Sequence, residues 1–302
     1  RNVMAWGLSK RIRVRHKHLV GIPSICLFLL LVAWTYYMFM FIAVRGIADL
    51  SDDPGVPIAY MTLFHVLVAL LLVSYARTIG TDPGAVPEDF VPQRDDEELG
   101  AARRTRRFCE RCHCFKPERC HHCSICDRCI LKMDHHCPWV NNCIGWRNHK
   151  YFLLFLFYTA TAASLSAIAD LHWAFVREPE ASDLPISYAA LFEISHTVLM
   201  CLITLFLSFF TWHHVRMALV NVTTLESFTM RESIYYMSPR ENWESIFGTN
   251  VWTWFNPFSC GSTGDGTTFR VHRQARLPSE EQEDPIPLRE LGEDEPDDED
   301  LY

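Results

Sequence analysis

Nine of the twelve cysteines in this 302-residue chain fall between Cys109 and Cys143, and the run closes around Asp134-His135-His136-Cys137. Cys109-x2-Cys112, Cys123-x2-Cys126 and Cys126-x2-Cys129 are knuckle spacings that let two thiolates converge on one tetrahedral ion. His122, His135 and His136 offer imidazole nitrogens beside them. A disulfide framework is the competing use, but it needs an oxidising compartment, and the topology derived below puts the run in a reducing one. Three thiolates with one imidazole is a donor set that suits zinc. Two such sites use six cysteines, so three are spare, and spacing does not say which. Cys114 and Cys120 lie among polar and charged neighbours with no obvious base. Cys137 follows His135 by two residues, and Asp134 adjoins that histidine. A thiol becomes a nucleophile when a nearby histidine takes its proton or lowers its pKa. A carboxylate on the other ring nitrogen would fix the tautomer and stabilise the imidazolium. Pro138 biases Cys137 towards an extended backbone, outside a helix. Cys137 as one more metal ligand stays open at this point.

Four apolar stretches have to position that run: residues 19–44, 58–76, 151–176 and 190–215. A membrane span takes about 20 mostly apolar residues, so the chain is expected to cross a bilayer four times. Asp170 and His172 make the third stretch the least clean. Lys10, Arg11, Arg13, Arg15 and Lys17 precede the first stretch, and Arg and Lys are frequent between the second and third. Loops 45–57 and 177–189 are mainly acidic. The positive-inside rule therefore places both termini and the cysteine run in the cytosol. A glycan on Asn221, in the sequon Asn221-Val222-Thr223, would invert that topology.

The expected fold class is mainly α and integral to the membrane, with short β-hairpins in the zinc-binding region between spans two and three. In order, the expected segments are a basic N-terminus (1–18), span one (19–44), a luminal loop (45–57), span two (58–76), a turn and linker (77–108) and the Cys-rich domain (109–150). Span three (151–176), a second luminal loop (177–189), span four (190–215), a cytosolic C-terminal segment (216–270) and a disordered acidic tail (271–302) follow. The net charge of −8 belongs to that tail, since residues 280–300 carry twelve acids and one arginine. Arg1 in place of Met is what a trimmed chain would show, and nothing has the form of a cleaved signal peptide. Asp82-Pro83-Gly84 reads as a turn. Thr223, Thr224 and Glu226 carry a capping-box signature. Trp243, Ile246 and Phe247 have helical spacing, closed by Gly248. With Trp252, Trp254, Phe255 and Phe258 they form either an interfacial belt or a small core.

Taken together, these residues resemble the DHHC protein S-acyltransferase (palmitoyltransferase) family, in its four-span branch, over roughly residues 18 to 258. The likeness runs through Asp82-Pro83-Gly84, Cys109-x2-Cys112, Lys116-Pro117, Arg119, His122-Cys123 and Asp134-His135-His136-Cys137-Pro138-Trp139. It continues in Asn141-Asn142-Cys143, Gly145, Asn148 and Thr223-Thr224-x-Glu226. The resemblance implies one zinc on Cys109, Cys112, His122 and Cys129, and a second on Cys123, Cys126, His136 and Cys143, both structural. It implies Cys137 as the acyl-accepting nucleophile, His135 as its base and Asp134 as the group orienting that base. It assigns nothing to Cys114 and Cys120.

The implied reaction moves a palmitoyl group from acyl-CoA to Cys137 and on to a membrane-proximal cysteine of a protein substrate. The implied partners are acyl-CoA, those proteins and the lipid bilayer, with no nucleic acid. The implied location is an endomembrane, whether Golgi, ER, vacuole, endosome or plasma membrane. The acyl chain would lie among the helices, with Trp139 and Phe152 as walls near the thioester. Ala162, within the small-residue run Ala160 to Ser164, would leave room for the chain end, unless that run serves close helix packing. Two other classes compete. A zinc scaffold without catalysis has no need of a free Cys137, and a transporter would want more ionisable groups at mid-membrane than His65.

Overall fold

The computed structural model describes residues 21–44, 48, 53–92, 107–176, 188–228 and 233–271. The basic N-terminus, parts of the linker and of both acidic loops, and all but the first residue of the acidic tail lie outside them. Helix α1 (Ile22–Met38) takes Pro23 in its first turn, where a missing N–H costs nothing, and runs on as a π-helical turn, Phe39–Ala43. Helices α2 (Gly55–Gly80), α3 (His149–Val176) and α4 (Tyr188–Val220) complete a bundle. Each of the four is long and apolar enough to cross a membrane. About two thirds (67%) of the α3 span is buried within the protein, against 17–22% for the others, so α3 is the central helix and the rest face outward. The chain is a multi-pass membrane protein.

Among the described residues between α2 and α3 are three short antiparallel hairpins. They pair β1 (Phe108–Cys109) with β2 (Cys114–Phe115), β3 (His121–Cys123) with β4 (Arg128–Ile130), and β5 (His135–Cys137) with β6 (Asn142–Ile144). Their turns carry left-handed residues at His113, Asp127 and Asn141, fourteen positions apart, so the hairpins repeat one geometry. Asp82 stabilises the turn after α2 by accepting from Gly84 N at 2.8 Å, and it pairs with Arg128 of β4. Gly145 is needed where that turn crosses the hairpins: a Cβ there would lie 2.8 Å from both Ile130 Cγ2 and the Pro83 carbonyl. Asn142 of β6 reaches back to the end of α2, with Nδ2 at 3.0–3.1 Å from the carbonyls of Thr78, Ile79 and Thr81. The hairpins are therefore fastened to the helix that precedes them.

Beyond α4 the chain folds back beneath the hairpins. Thr223 caps α5 (Thr224–Ser227), and the reciprocal bonds of a capping box with Glu226 are both present. Helix α6 (Pro239–Phe247) begins on Ser238, with Pro239 next, and ends at Gly248 with φ +81°. The aromatic segment divides between the two uses open in the sequence. Ile246 and Phe247 are buried against the bundle, whereas Trp252, Phe255 and Phe258 are exposed. Tyr158 donates its hydroxyl to the Phe255 carbonyl. Tyr158 lies roughly 13 Å along α3 from its first residue, so these outward aromatics sit at the level of that span's own first turns.

One buried ion pair ties this segment to the hairpins. Arg119 donates from Nε and Nη2 to the two Glu226 carboxylate oxygens, both at 2.6 Å, and from Nη1 to Asn221 Oδ1 at 2.8 Å. The guanidinium lies over the rings of Tyr235 and Phe269. Burial works against the Glu226 charge, but the bonds from Arg119 outweigh it and hold the carboxyl below its usual range. Asn221 also donates to the Tyr235 carbonyl, so the one sequon is engaged within the fold. Removing either partner strands a buried charge, a loss of about 3–5 kcal/mol. Arg119→Ala and Glu226→Ala are each expected to lower the thermal midpoint of the detergent-purified protein sharply. The double variant should lose much less than the sum.

Candidate active site and metal centres

Two groups of thiols and imidazoles converge among the described residues: Cys109, Cys112, His122 and Cys129, and Cys123, Cys126, His136 and Cys143. Within each group the ligand atoms lie within 4.8 Å of one another. Both histidines present Nδ1, at 3.2–3.6 Å from thiols of the first group and 3.5–3.7 Å from those of the second. Arms of about 2.3 Å to sulfur and 2.0–2.1 Å to nitrogen, set tetrahedrally, give edges of roughly 3.5–3.8 Å, so the geometry fits a tetrahedral ion. Burial pushes the His122 imidazole down, favouring the neutral form that a metal takes. The ligand sets interleave. In each case the knuckle of one hairpin meets the His and Cys of the next, and these two lie opposite each other across the strands, as His122↔Cys129 and His136↔Cys143. Cys114 and Cys120 lie against Cys129 and hydrogen-bond to it, outside both ligand groups.

Cys137 belongs to neither group. In β5 successive side chains point to opposite faces, so His136 turns to the metal cluster while His135 and Cys137 share the other face. His135 Nδ1 donates to Asp134 Oδ2 at 2.6 Å, which leaves Nε2 for the thiol, and His135 and Cys137 are hydrogen-bonded. Burial disfavours the imidazolium, but the bonds to Asp134 and Cys137 outweigh it and raise the His135 pKa to about 9. Asp134 is fully buried. Burial alone would raise its pKa, yet the bond from His135 and the neighbouring imidazoles and amide hold it well below the usual carboxylate range. The grouping is an acid, a base and a thiol in sequence, the arrangement of a nucleophilic centre.

Three contacts of this centre were not read from the sequence as parts of it. Thr224 donates from its backbone N to Asp134 Oδ1 at 2.9 Å and from Oγ1 to Asp134 Oδ2 at 2.8 Å. The capping motif thus serves the centre as well as its own helix. Tyr75 of α2 donates its hydroxyl to the Trp139 carbonyl at 2.8 Å, holding the turn after Cys137. His214 of α4 brings its ring to 5.8 Å from that of His135 and 5.1 Å from that of Phe152. None of the three has a sequence signal for such a role, because each arrives from a distant helix.

Beneath Cys137 opens a cavity of about 480 Å³ running down between the helices. His135, Cys137, Trp139 and Phe152 line its mouth, and Ala162, Ala163 and Met200 line its far part. Of the small-residue run 160–164, only Ala162 and Ala163 face the cavity. The helical stripe that contains Phe155 and Thr159 selects them. The walls are almost wholly apolar, and the volume lies within the roughly 300–1,000 Å³ of ligand sites.

A thiol beside an acid–base pair, over an apolar chamber and braced by two Cys/His groups that could hold metal ions, defines the class. A family profile described as DHHC palmitoyltransferase matches residues 102–231. The chain is 34% identical over 279 residues to probable protein S-acyltransferase 14 of Arabidopsis thaliana, covering 84% of this chain and 89% of the relative. It is 32% identical over 295 residues to palmitoyltransferase ZDHHC2 of Homo sapiens (87% and 78%). It is 30% identical over 312 residues to palmitoyltransferase ZDHHC15 of Xenopus laevis (90% and 88%). The chain belongs to the DHHC palmitoyltransferase family.

The interleaved clusters give a direct expectation. Elemental analysis of the purified protein should find two divalent metal ions per chain, and Cys123→Ser should lower that count rather than leave it unchanged.

Proposed function

We propose that this palmitoyltransferase carries its acyl group on Cys137, taking it from acyl-CoA and passing it to a cysteine of a protein at the cytosolic face of the membrane. The observation that carries this reading is a thiol left off both clusters, hydrogen-bonded to His135, at the mouth of an apolar cavity. In the first half-reaction His135 holds the proton of Cys137, and the thiolate attacks the thioester carbonyl. The tetrahedral intermediate collapses, the C–S bond to CoA breaks, and the CoA thiolate leaves with a proton from His135. In the second, His135 takes the proton of the acceptor thiol, which attacks the Cys137 thioester and releases the enzyme thiol. One thioester replaces another in each step, so the protein supplies alignment and proton transfer rather than driving force.

Asp134 keeps His135 in the tautomer that presents Nε2 and stabilises the imidazolium while it carries the proton. The cavity receives the acyl chain, at about 0.8 kcal/mol per buried methylene, with Trp139 and Phe152 near the thioester. Zinc suits the two thiolate-rich clusters, and four protein ligands each close them, so both are structural. The distribution of Arg and Lys supports a cytosolic active site. The Cys-rich hairpin region, residues 109–150, forms the catalytic domain in this reading. A non-catalytic scaffold would account for the clusters, but not for the unligated thiol or the chamber beneath it.

Incubation with labelled palmitoyl-CoA should place a hydroxylamine-sensitive label on the wild type and none on Cys137→Ala, with metal content equal in the two. Equal labelling of both would overturn the assignment. Thr224→Val keeps the backbone bond to Asp134 and loses the hydroxyl bond, worth about 1.5–3 kcal/mol to a charged group. Acyl-enzyme formation should slow by at least about tenfold, while rapid mixing with limiting palmitoyl-CoA shows the affinity for the donor largely retained.

A further inference from the structure

Two thiols beside the metal centres, Cys114 and Cys120, belong to neither ligand group. The hairpin register shows what sets Cys114 apart. It pairs with Cys109 across β1 and β2, where the second hairpin pairs Cys123 with Arg128 and the third pairs Cys137 with Asn142. In those two hairpins this position fastens the strands at the end of α2. Arg128 pairs with Asp82 at 2.8 Å, and Asn142 reaches three carbonyls at the helix end. In the first hairpin the same position holds a thiol, bonded to a sulfur of the first metal centre.

Residues directly opposite in an antiparallel pair share a face, so Cys114 lies beside the ligand Cys109. It hydrogen-bonds to a second ligand, Cys129. Cys120 also bonds to Cys129, but it is fully buried and follows Arg119, which the Glu226 pair holds in place. Cys114 is half-buried, and its hairpin pairs two residues where the others pair three, so it has both access and room to move. A cysteine that ligates a metal does so as the thiolate, which is also the nucleophilic form. The first centre therefore places an anionic sulfur in contact with a reachable spare thiol.

We propose that Cys114 and Cys129 form a modification site, in which a hydroperoxide joins them as a disulfide and opens the first metal centre. The proposal rests on the reading of that group as a metal site. The Cys129 thiolate attacks the hydroperoxide and the O–O bond breaks. The sulfur keeps one oxygen as sulfenic acid, and the other leaves as an alkoxide that takes the proton of Cys114. The Cys114 sulfur then attacks the sulfenic sulfur, the S–S bond forms, and hydroxide leaves. Two electrons pass from the sulfurs to the peroxide, and the products are a disulfide, an alcohol (water, from hydrogen peroxide) and hydroxide. Exchange with a small dithiol restores both thiols. The bond takes one ligand from the first group and none from the second, and Cys137 has no part in it.

The test treats the full chain in lipid nanodiscs with hydrogen peroxide beside a metal-indicating chelator, and reads released metal and disulfide-linked peptides. The wild type should release one ion of its two and yield a peptide pair linked through Cys114 and Cys129. Dithiothreitol with added zinc should restore the count. Cys114→Ser should hold two ions before treatment and keep both at the dose that takes one from the wild type. Cys114→Ala makes the same comparison if the serine variant does not fold. Equal release from the wild type and the folded variant, or a link from Cys129 to Cys120 instead, would overturn the site. A wild type that holds no metal before treatment would overturn the reading of the first group as a metal site, and the proposal with it.

Discussion

Neighbouring side chains in an extended strand point to opposite faces, and the β5–β6 hairpin converts that rule into a division of labour. His136 faces the second Cys/His group with its cross-strand partner Cys143, and His135 and Cys137 face the cavity. The same frame recurs every fourteen residues. Cys109, Cys123 and Cys137 each open a hairpin turn, and Cys112, Cys126 and Val140 stand three positions on. The first two pairs are knuckles, each completed by the His and Cys of the next hairpin. The third hairpin has valine where the second knuckle cysteine would be, and no hairpin follows it before α3. Cys137 therefore occupies a metal-ligand position in a repeat that has run out of partners. Its freedom follows from the architecture.

A thiol held this way is useful only if the hairpin is held relative to the helices, and three independent fastenings do that. Asn142 caps the carbonyls at the end of α2, on the residue directly across the strands from Cys137. Tyr75 fixes the turn that follows Cys137. The segment after α4 supplies Thr224 to Asp134, and the Arg119–Glu226 pair holds that segment in place. The last of these explains why a helix-capping motif lies more than eighty residues from the centre it serves. One Thr–Thr–x–Glu stretch caps its own helix with Thr223, orients Asp134 with Thr224, and seats a buried arginine with Glu226. Desolvating that many polar groups is tolerable because each has its partner.

Much of this was legible in the sequence, for physical reasons that differ by element. The four spans announce themselves because a helix in lipid must be apolar over its whole length. The capping box and the Gly248 helix end are local signals and are present in the structure. The ligand sets were not legible from spacing, since each knuckle closes on residues of the following hairpin and nine cysteines leave many pairings. The family resemblance supplied the sets that converge here, although the fourteen-residue period was there to be counted. Asp170 looked like a blemish in an apolar run because His196, whose Nε2 lies 3.4 Å from its carboxylate, comes from another helix. The aromatic stretch after α5 was ambiguous because helical periodicity holds only to Phe247; past Gly248 burial is decided by tertiary contacts.

The account stands or falls on whether the metal-pinned hairpin is what makes Cys137 reactive. Cys143 touches neither substrate nor His135 in this scheme; it holds β6 to the second cluster, opposite His136. The most direct measurement is the rate of acyl-enzyme formation by Cys143→Ser, taken with its metal content and helical circular dichroism. The account predicts a helical protein that has lost metal and forms the Cys137 thioester at least about tenfold more slowly. A variant that loses the metal yet acylates Cys137 at the wild-type rate would contradict it.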